Sequence, residues 1–421
     1  MLTFDALRRR EFARLDEQGH TYADYMGSAL YGASQIRAHQ EILGAGIYGN
    51  PHSESPASLA STEAIDGVRE MVLRFFDADS STHDVIFTAN SSAAIKVVGE
   101  SYPFDDARGL LLSVDNHNSV NGVREYARRA GAAIRYLDLN REELPQASGL
   151  FAFPAKSNFS GALYPLSLID IAHRRGLDVL LDAAAYAPVH ALSLREWRAD
   201  FVAVSFYKMF GYPTGIGALI ARREALSRLR RPWFAGGTVK FASVVADRHQ
   251  LRDGHEAFED GTPNFLGISA LPAGFALLEE IGMDRIEAHV DRLMTMFHCG
   301  IARFATTYGS GTFNIDGVPY WEVEEQARRE SISLRGGCFC NPGAAELAFG
   351  LQNVGPCLDR LGDGFSVQRL AGCMDKQVGA ARVSFGIANN EADVFRVIGM
   401  VRRCAERRRS QTRALAMAGS N

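Results

Sequence analysis

The sequence has 421 residues, 47% of them hydrophobic and 22% charged, a composition typical of a globular protein with one large or two ordinary domains. Its formal charge of −4 gives no electrostatic reason to expect a nucleic acid or an anionic membrane as partner. No apolar stretch approaches the roughly 20 residues of a membrane span, and the first ten residues lack a signal-peptide core. Because the six cysteines are scattered and do not form a disulfide framework, we expect a cytoplasmic protein.

The first part of the chain contains a misleading glycine motif. Residues 1–20 are predicted to form a short amphipathic helix that packs with the C-terminal part, before an extended segment at 22–26. Residues 43–49 (LGAGIYG) match G-x-G-x-x-G. We reject a dinucleotide site, and with it a nicotinamide reductase, because no strand precedes the motif and Asn50-Pro51-His52 follows where a helix should begin. A glycine-rich loop is predicted instead.

From residue 60 onward, helical and strand patterns alternate. Alternation with short loops predicts a mostly parallel sheet covered on both faces, with ligands at the carboxyl ends of its strands. The predicted strands are 84–88, 110–114, 134–137, 149–153, 179–181, 201–204 and 217–221. The predicted helical stretches are 63–76, one that opens at Asn90, 120–129 and 166–174.

Three polar features follow predicted strands. Ser91 and Ser92 open a helix, whose free N–H groups and hydroxyls form an anion site. Asp182 ends one apolar run, and Lys208 follows another just before a Gly/Pro-rich turn. A lysine made less basic by burial suits Schiff-base chemistry, although a strand-end lysine that reaches solvent is the simpler alternative. Asp182 favours the first interpretation, because an aspartate and a Schiff-base lysine are the minimum set for pyridoxal phosphate.

After Gly261 the pattern changes. A long helical region at 269–303 precedes a smaller mixed α/β segment with strands near 313–315 and 382–385. The predicted domains are an N-terminal helix at 1–20, a large domain at 21–270 and a small domain at 271–421.

Several motifs together resemble one known family. They are residues 49–53 (GNPHS), 153–161 (FPAKSNFSG), 205–208 (SFYK), 258–262 (FEDGT) and 337–343 (GCFCNPG). From about residue 20 to 400 the chain resembles the cysteine desulfurases, in the class V branch of fold-type I pyridoxal-phosphate enzymes. Within that branch it is most similar to the N-terminal desulfurase domain of molybdenum-cofactor sulfurases. The resemblance implies an α/β fold-type I transferase, with a mostly parallel seven-stranded sheet in a large domain and a smaller α/β domain.

The resemblance also implies roles in holding pyridoxal phosphate. Lys208 would form the Schiff base and then move protons at the substrate Cα. Asp182 would pair with the pyridine nitrogen, and His117 would stack on the ring, unless it is an ordinary loop histidine. The residues matching phosphate-binding positions are Ser91, Ser92, Ser205 and Tyr207.

Three further positions concern a second subunit and the substrate. Thr262 matches a threonine that reaches the phosphate of a neighbouring subunit, which implies a homodimer. Asn158 matches an asparagine near the ring hydroxyl and the substrate carboxylate. Arg382 matches the arginine that grips this carboxylate in a bidentate fork.

Two cysteines compete for the role of nucleophile. In the desulfurase pattern R-x-G-x-x-C, Arg335 sets the register, so Cys340 takes the sulfur-accepting position and Cys338 lies two residues short. A C-x-C metal site is the alternative, but it is weak without a second pair or nearby histidines, and we predict no metal.

Fewer predictions concern the other four cysteines. Cys299, Cys357 and Cys404 are interpreted as ordinary small apolar residues. Cys373 resembles a cysteine in the same insertion of the sulfurases, with no established role.

The chain departs from the family pattern in three places. Ala185 replaces a glutamine, so a hydrogen bond to the ring hydroxyl is missing or supplied otherwise. Tyr207 replaces the usual histidine before the lysine, as in the sulfurase subgroup. Because the chain ends at Asn421, we expect no C-terminal molybdopterin-binding domain and therefore a separate sulfur acceptor.

The predicted function is that of an L-cysteine desulfurase that forms alanine and a persulfide on Cys340. One alternative is a C–S or selenocysteine lyase, or another class V aminotransferase-type enzyme, in which Cys340 would be dispensable. The other is a non-catalytic sulfur-carrier scaffold, against which the presence of Lys208, Asp182 and Arg382 argues.

Overall fold

The computed structural model of the chain describes residues 2–418, which form two compact units. The large unit comprises residues 28–156 and 163–284, and the small unit comprises residues 2–27, 157–162 and 285–418. These ranges differ from the predicted domains at both ends of the large domain, where we expected 21 and 270. They also assign 157–162 to the small unit. Residues 1 and 419–421, which fall in the predicted terminal domains, lie outside the described residues.

The strands are numbered in chain order: β1 (Thr21–Tyr22), β2 (His83–Thr88), β3 (Gly109–Ser113), β4 (Ile134–Leu137), β5 (Gly149–Pro154), β6 (Leu177–Asp182), β7 (Phe201–Ser205), β8 (Gly217–Arg222), β9 (Val239–Ser243), β10 (Arg248–Leu251), β11 (Thr306–Thr307), β12 (Thr312–Asn314), β13 (Ile332–Ser333), β14 (Arg335–Gly337) and β15 (Ala380–Arg382).

The helices are α1 (Phe4–Glu11), α2 (Arg14–Glu17), α3 (Ala33–Ala45), α4 (Pro56–Phe75), α5 (Ser91–Ser101), α6 (Asn118–Asn121), α7 (Val123–Arg129), α8 (Leu168–Arg174), α9 (Phe206–Phe210), α10 (Arg223–Arg228), α11 (Phe265–Ile268), α12 (Leu271–Ile281), α13 (Met283–Ile301), α14 (Tyr320–Arg329), α15 (Pro342–Phe349), α16 (Gly355–Leu361), α17 (Val367–Met374) and α18 (Glu391–Ala418). Two 3₁₀ turns lie at Gly254–Ala257 and Gly362–Gly364.

The large unit contains a seven-stranded sheet of order β2-β8-β7-β6-β5-β3-β4. Only β8 runs antiparallel to its two neighbours, and the other adjacent pairs are parallel. The predicted mostly parallel seven-stranded sheet is therefore confirmed. Every residue of β5 and of β7 is buried, as expected for strands covered on both faces.

The small unit has its own four-stranded sheet, of order β11-β12-β15-β14, and a parallel pair of β1 with β13. The N-terminal segment belongs to this unit through buried polar contacts: Arg8 Nη1 donates to Ala388 O and to Asp393 Oδ2, both at 2.6 Å. The single helix predicted at 1–20 is in fact two helices, α1 and α2.

Two other local predictions can be compared with the structure. The long helical region predicted at 269–303 is present as two helices, because Gly282, whose φ of +88° favours glycine, ends α12 and α13 begins at the next residue. The glycine motif is only partly a loop, because Leu43, Gly44 and Ala45 form the last turn of α3. A helix, α3, and not a strand leads directly into the motif, in agreement with the rejection of a dinucleotide site.

The cysteines differ from expectation. Cys357 on α16 and Cys373 on α17 form a disulfide, so the interpretation of Cys357 as an ordinary apolar residue was wrong. Cys299 is exposed rather than buried, whereas Cys404 is buried as expected, and burial raises the pKa of its thiol. The predicted cytoplasmic location stays a prediction.

Within residues 2–418, no single helix is long and apolar enough to cross a membrane; a bent pair, Phe265–Ile281 with Met283–Ile301, reaches that length and composition together. The same residues contain no group of three or more His, Cys, Asp or Glu side chains placed to hold a metal ion.

Candidate active site

The predicted site residues divide between the two units, and each group is described by itself. The large unit carries Lys208, Asp182, His117, Ser91, Ser92, Ser205, Tyr207 and Thr262. The small unit carries Asn158, Arg382 and the two cysteines of the 338–340 segment.

Lys208 lies on α9, a short helical turn directly after β7, rather than at the strand end itself. Phe206 and Phe210 are buried on one face of this turn, and both rings pack edge-on against Phe275 of α12, with centroids 5.6 and 5.2 Å away. Gly211 ends the turn with φ of +82°. Because the aromatic face anchors α9, the half-buried Lys208 extends from a rigid support.

Asp182 ends β6, next to β7 in the sheet, and is only 8% exposed. Its Oδ1 accepts a hydrogen bond from the N–H of Ala184 at 3.0 Å. Ala185, also buried, brings no hydrogen-bonding side chain to this loop. Asp182 and Lys208 thus follow the same ends of two adjacent parallel strands.

Ser91 and Ser205 are brought together directly. Asn90 caps α5 by accepting from the N–H of Ala93, which leaves Ser91 at the first position of the helix. The Ser91 N–H donates to Ser205 Oγ at 2.8 Å, and Ser205 Oγ lies 3.0 Å from Ser91 Oγ. Ser205 therefore holds the N-terminus of α5 against the end of β7.

Ser92 and His117 are linked through Ser119, which sequence reasoning missed. Ser92 Oγ lies 2.6 Å from Ser119 Oγ, and Ser119 Oγ lies 3.0 Å from His117 Nδ1. His117 also caps α6, since its Nδ1 accepts from the Ser119 N–H at 3.1 Å. An Nδ1 that accepts this bond leaves the proton on Nε2, so the imidazole is neutral in this arrangement.

The remaining two residues of this group have other neighbours. Thr262 is exposed, and its hydroxyl accepts from Asn50 Nδ2 at 3.2 Å, which joins the 49–53 and 258–262 motifs. Tyr207 is half-buried, and its carbonyl accepts from the N–H of Ala29.

This donor set fits pyridoxal phosphate. It combines a lysine amine, a buried carboxylate, an imidazole, and serine hydroxyls at the N-terminus of the 11-residue helix α5. All follow the carboxyl ends of strands in the same sheet, where open α/β sheets bind their ligands. A helix N-terminus is suited to a phosphate group, and a carboxylate to a protonated pyridine nitrogen.

In the small unit, Arg382 and Arg335 are direct cross-strand partners on β15 and β14. Like charges placed opposite each other destabilise a sheet. Asp24 offsets this repulsion: Arg335 Nη2 lies 2.8 Å from its Oδ2, and Arg382 Nη2 lies 3.4 Å from its Oδ1. The hydrogen bond that Arg335 donates to Asp24 raises the pKa of Arg335.

Arg382 is the most deeply buried of these cations, at 4% exposure. Burial lowers its pKa to about 10, while Asp24 acts in the opposite direction. Its Nη1 donates to the carbonyl of Asn158 at 2.5 Å, and its buried Nε has no hydrogen-bond partner. Sequence reasoning placed Arg382 and Asn158 at the same carboxylate, and the structure brings them into contact.

The cysteine segment is tied to Asn158 by its backbone and by Asn341. Asn158 Nδ2 donates to the Phe339 carbonyl at 2.6 Å, and Asn341 Nδ2 donates to Asn158 Oδ1 at 2.9 Å. Asn341 also caps α15, accepting from the N–H of Ala344. Cys340 therefore directly precedes a fixed helix cap.

The two cysteines of this segment have different surroundings. Cys340 is exposed, and negative charge on its sulfur would raise the pKa of both Arg335 and Arg382. Cys338 is half-buried and packs against an apolar cluster that includes Phe159. Of the two, only Cys340 combines an exposed sulfur with an electrostatic effect on Arg382.

Sequence reasoning missed Asp24, Phe339 and Asn341 in this group. Asn341 had a readable signal, because an asparagine followed by proline is typical of a helix N-cap and first helical position. Asp24 had none: its partner Arg335 is 311 residues away in sequence.

Comparison with known proteins agrees with this architecture. Residues 21–397 match the family model described as "Aminotransferase class-V". The chain therefore belongs to the class V aminotransferase family, whose enzymes use pyridoxal phosphate.

Individual relatives show which members of the family the chain resembles. The chain is 35% identical to a molybdenum cofactor sulfurase of Solanum lycopersicum, over 94% of this chain and 56% of that protein. It is 36% identical to a molybdenum cofactor sulfurase of Anopheles gambiae, over 95% of this chain and 58% of that protein. The chain thus spans a little over half the length of these relatives. In fold it is similar to an apo cysteine desulfurase of Thermococcus onnurineus, with a TM-score of 0.81 at 23% identity, covering 96% of this chain and 98% of that one.

Proposed function

We propose that this chain is a pyridoxal-phosphate-dependent L-cysteine desulfurase, which releases alanine and leaves the sulfur as a persulfide on Cys340. The observation that carries the proposal is the placement of Cys340, which is exposed and directly follows Phe339, whose ring lies 4.5 Å from the guanidinium carbon of Arg382. The similarity to molybdenum cofactor sulfurases and to a cysteine desulfurase fold supports it.

The large unit would hold the cofactor. Ser91, Ser92 and Ser205 would bind its phosphate at the N-terminus of α5, Asp182 its pyridine nitrogen, and Lys208 its aldehyde carbon. When bound, pyridoxal phosphate acts as an electron sink that stabilises negative charge at the substrate Cα. The Lys208 amine would carry the proton removed from that carbon.

The small unit would hold the substrate. Arg382 has an unpartnered Nε, and its Nη1 and Nη2 are shared with Asn158 and Asp24. A guanidinium presents a planar fork that matches a carboxylate, so Arg382 would bind the α-carboxylate of cysteine. Its burial favours this pairing, because charge pairs are stronger away from water.

The proposed sulfur transfer forms one bond and breaks another. The Cys340 thiolate forms a bond to the sulfur of the substrate, and the bond between that sulfur and the substrate Cβ breaks. The electron pair of the broken bond remains on Cβ, which takes up a proton and becomes the methyl group of alanine. The sulfur is left on Cys340 as S–SH, and its exposure makes it accessible to an acceptor.

The test uses the chain purified with pyridoxal phosphate and supplied with L-cysteine and a thiol reductant. Alanine and sulfide are quantified for the native chain, for Cys340→Ala and for the matched control Cys338→Ala. We expect both products from the native chain and from Cys338→Ala, and neither from Cys340→Ala, while all three retain the absorbance of the bound cofactor.

Other outcomes would contradict the proposal in distinguishable ways. Pyruvate and ammonia that are unaffected by Cys340→Ala would indicate a C–S lyase. Bound cofactor without any product would mean that the chain does not convert L-cysteine by itself, and would favour a non-catalytic scaffold. Loss of activity in Cys338→Ala alone would transfer the role of nucleophile to Cys338.

We also propose that the sulfur acceptor is a separate molecule. The names of the similar proteins make a molybdenum-cofactor-linked acceptor the first to test. Transfer of ³⁵S from a labelled Cys340 persulfide to the molybdenum cofactor on a carrier protein would support this acceptor, whereas release of sulfide to the reductant alone would argue against it.

A homodimer is part of the same proposal. In the large unit, the tip between β9 and β10 leaves Val244 and Val245 at 99% and 100% exposure, and Phe241 at 51%. The N–H of Gly261, next to Thr262, donates to Gly236 at 3.0 Å, so the Thr262 loop is bonded to the segment that leads into this hairpin. A second copy that covers these side chains would remove them from water.

Light scattering on the native chain and on the double variant Val244→Asp, Val245→Asp tests the dimer. We expect a native dimer and a monomeric double variant. Phe395→Asp, which changes an apolar residue of 61% exposure on α18, is the control and should remain dimeric. A native monomer at micromolar concentration would overturn the proposal.

A further inference from the structure

Phe339, between the two cysteines, has an unusual position for a side chain of a surface segment. It is only 7% exposed, and its ring lies 4.5 Å from the guanidinium carbon of Arg382. The same ring packs against Phe159, with centroids 5.6 Å apart. A guanidinium over a desolvated aromatic face is an attractive contact. The side chain adjacent to the candidate nucleophile is therefore in direct contact with the candidate carboxylate-binding group.

The backbone of Phe339 makes a second connection to Arg382. The Phe339 carbonyl accepts from Asn158 Nδ2 at 2.6 Å, and the Asn158 carbonyl accepts from Arg382 Nη1 at 2.5 Å. The Phe339 ring thus contacts the Arg382 guanidinium directly, and the Phe339 carbonyl is linked to it through Asn158. A displacement of the guanidinium would disturb both connections.

The backbone at this point is also strained. Phe339 and Cys340 have φ of +56° and +57°, the left-handed region that costs about 1–2 kcal/mol for a residue with a side chain. Such a conformation persists only where the surroundings impose it. On the side that precedes Cys340, the ring and carbonyl contacts of Phe339 supply that restraint; on the other side, the Asn341 cap does.

We propose that Phe339 is a positioning residue that couples Arg382 to Cys340, so that a carboxylate bound at Arg382 releases the Cys340 thiol from its restrained position. A carboxylate that takes Nη1 competes with the Asn158 carbonyl, and it partly neutralises the charge that attracts the ring. Both effects weaken the restraint on the strained segment. The inference rests on the proposed function only in taking a substrate carboxylate at Arg382.

The test measures the reactivity of Cys340 rather than turnover. The holoenzyme is treated with iodoacetamide, with and without saturating L-alanine as the carboxylate-bearing probe, and alkylation of Cys340 is followed by mass spectrometry of its peptide. In the native chain we expect L-alanine to raise the alkylation rate about three- to fivefold. In Phe339→Leu we expect the rate without L-alanine to be raised by a similar factor, and the response to L-alanine to be lost.

Two further variants separate coupling from simple packing. Phe339→Tyr keeps the aromatic face and should restore the native response. Phe349→Leu is the matched control: Phe349 belongs to the same apolar cluster and packs on Phe159 and Tyr308, so this variant loosens the cluster through a different side chain. It should respond to L-alanine as the native chain does.

The proposal is overturned if L-alanine leaves the native rate unchanged, if Phe339→Leu responds like the native chain, or if Phe349→Leu loses the response equally. These outcomes are distinct from failure of the proposed function. A chain that produced no alanine from cysteine would still report the coupling between Arg382 and Cys340 through its alkylation rates.

Discussion

Asn341 and Asn158, which are 183 residues apart in sequence, are joined by a hydrogen bond from Asn341 Nδ2 to Asn158 Oδ1 at 2.9 Å. Asn341 is fully buried, and the same side chain caps α15 through its Oδ1. One asparagine thus fixes both the start of a helix and the loop that contacts Arg382.

These two roles of Asn341 can be separated by substitution. Asn341→Ala removes the cap and leaves Asn158 Oδ1 without its donor, so we expect a loss of about 2–3 kcal/mol of unfolding free energy. Asn341→Ser keeps a capping oxygen but is too short to reach Asn158, and should lose about 1 kcal/mol less. Urea denaturation of the three proteins measures both differences. Equal losses would mean that the cap contributes nothing.

Ser205 predicts a specific effect on cofactor affinity. Its hydroxyl accepts from the Ser91 N–H and so orients the N-terminus of α5. Ser205→Ala should weaken pyridoxal phosphate binding by about tenfold, because one hydrogen bond near an anion is worth about 1.5 kcal/mol. Equilibrium titration of the apoprotein with pyridoxal phosphate measures this affinity.

The control for Ser205 lies at the other end of the same helix. Ser101 is buried, and its hydroxyl has no hydrogen-bond partner, so Ser101→Ala should leave the affinity unchanged and the stability equal or slightly higher. A similar loss of affinity in both variants would mean that the helix as a whole, rather than Ser205, determines binding.

His289 on α13 predicts a loss of stability in mild acid. It is 5% exposed, its ring stacks on Phe4 at 3.6 Å, and its Nε2 lies 2.9 Å from the Asn389 carbonyl. Burial lowers its pKa from 6.5 to about 4. Between these values the unfolded chain binds a proton that the folded chain does not. The unfolding free energy is therefore highest with respect to His289 above pH 6.5 and decreases progressively as the pH falls to 4. This difference in pKa corresponds to about 3 kcal/mol.

The measurement is the unfolding free energy as a function of pH for the native chain and for His289→Gln. Glutamine can still donate to the Asn389 carbonyl but does not titrate. We expect the variant to show a smaller decrease between pH 6.5 and 4. Parallel pH profiles would show that His289 is not responsible.

The disulfide predicts a countable number of free thiols. Of the six cysteines, Cys357 and Cys373 are paired, so alkylation of the unfolded, unreduced chain should modify four and leave these two unmodified. The bond closes a loop with a sequence separation of 16. For a loop of that size the chain-entropy model gives about 3 kcal/mol, so Cys373→Ser should destabilise the chain by up to about that amount. Six modified cysteines in a chain purified without reductant would contradict the pairing.

Much of the large unit could be predicted from local sequence. Each of the seven predicted strands of its sheet is present, because buried parallel strands are continuous apolar runs bounded by turn residues. The polar residues that follow these runs, Asp182 and Ser91 among them, could be assigned to one edge of the sheet for the same reason. The division of the predicted helical region into α12 and α13 at Gly282 could not be located from the sequence, because an isolated glycine within a helical pattern is usually tolerated.

The small-unit site was less predictable. Cys340 and Arg382 could be selected by their resemblance to family motifs, but neither motif indicates what holds these side chains. Asp24 reaches Arg335 and Arg382 from the N-terminal segment, and no local pattern marks it. Ser119 escaped notice because a serine beside a histidine is unremarkable until the chain brings Ser92 to it.

By itself, then, the sequence determined the positions along the chain of the seven strands of the large sheet and the residues at its carboxyl edge, because these follow from apolar runs and capping residues within short windows. Only the tertiary structure decided that Phe339 covers Arg382, that Asn158 binds the cysteine segment and that Cys357 pairs with Cys373. Those contacts depend on which surfaces meet when separate elements pack, and the energy of such packing is not encoded in any single stretch of the chain.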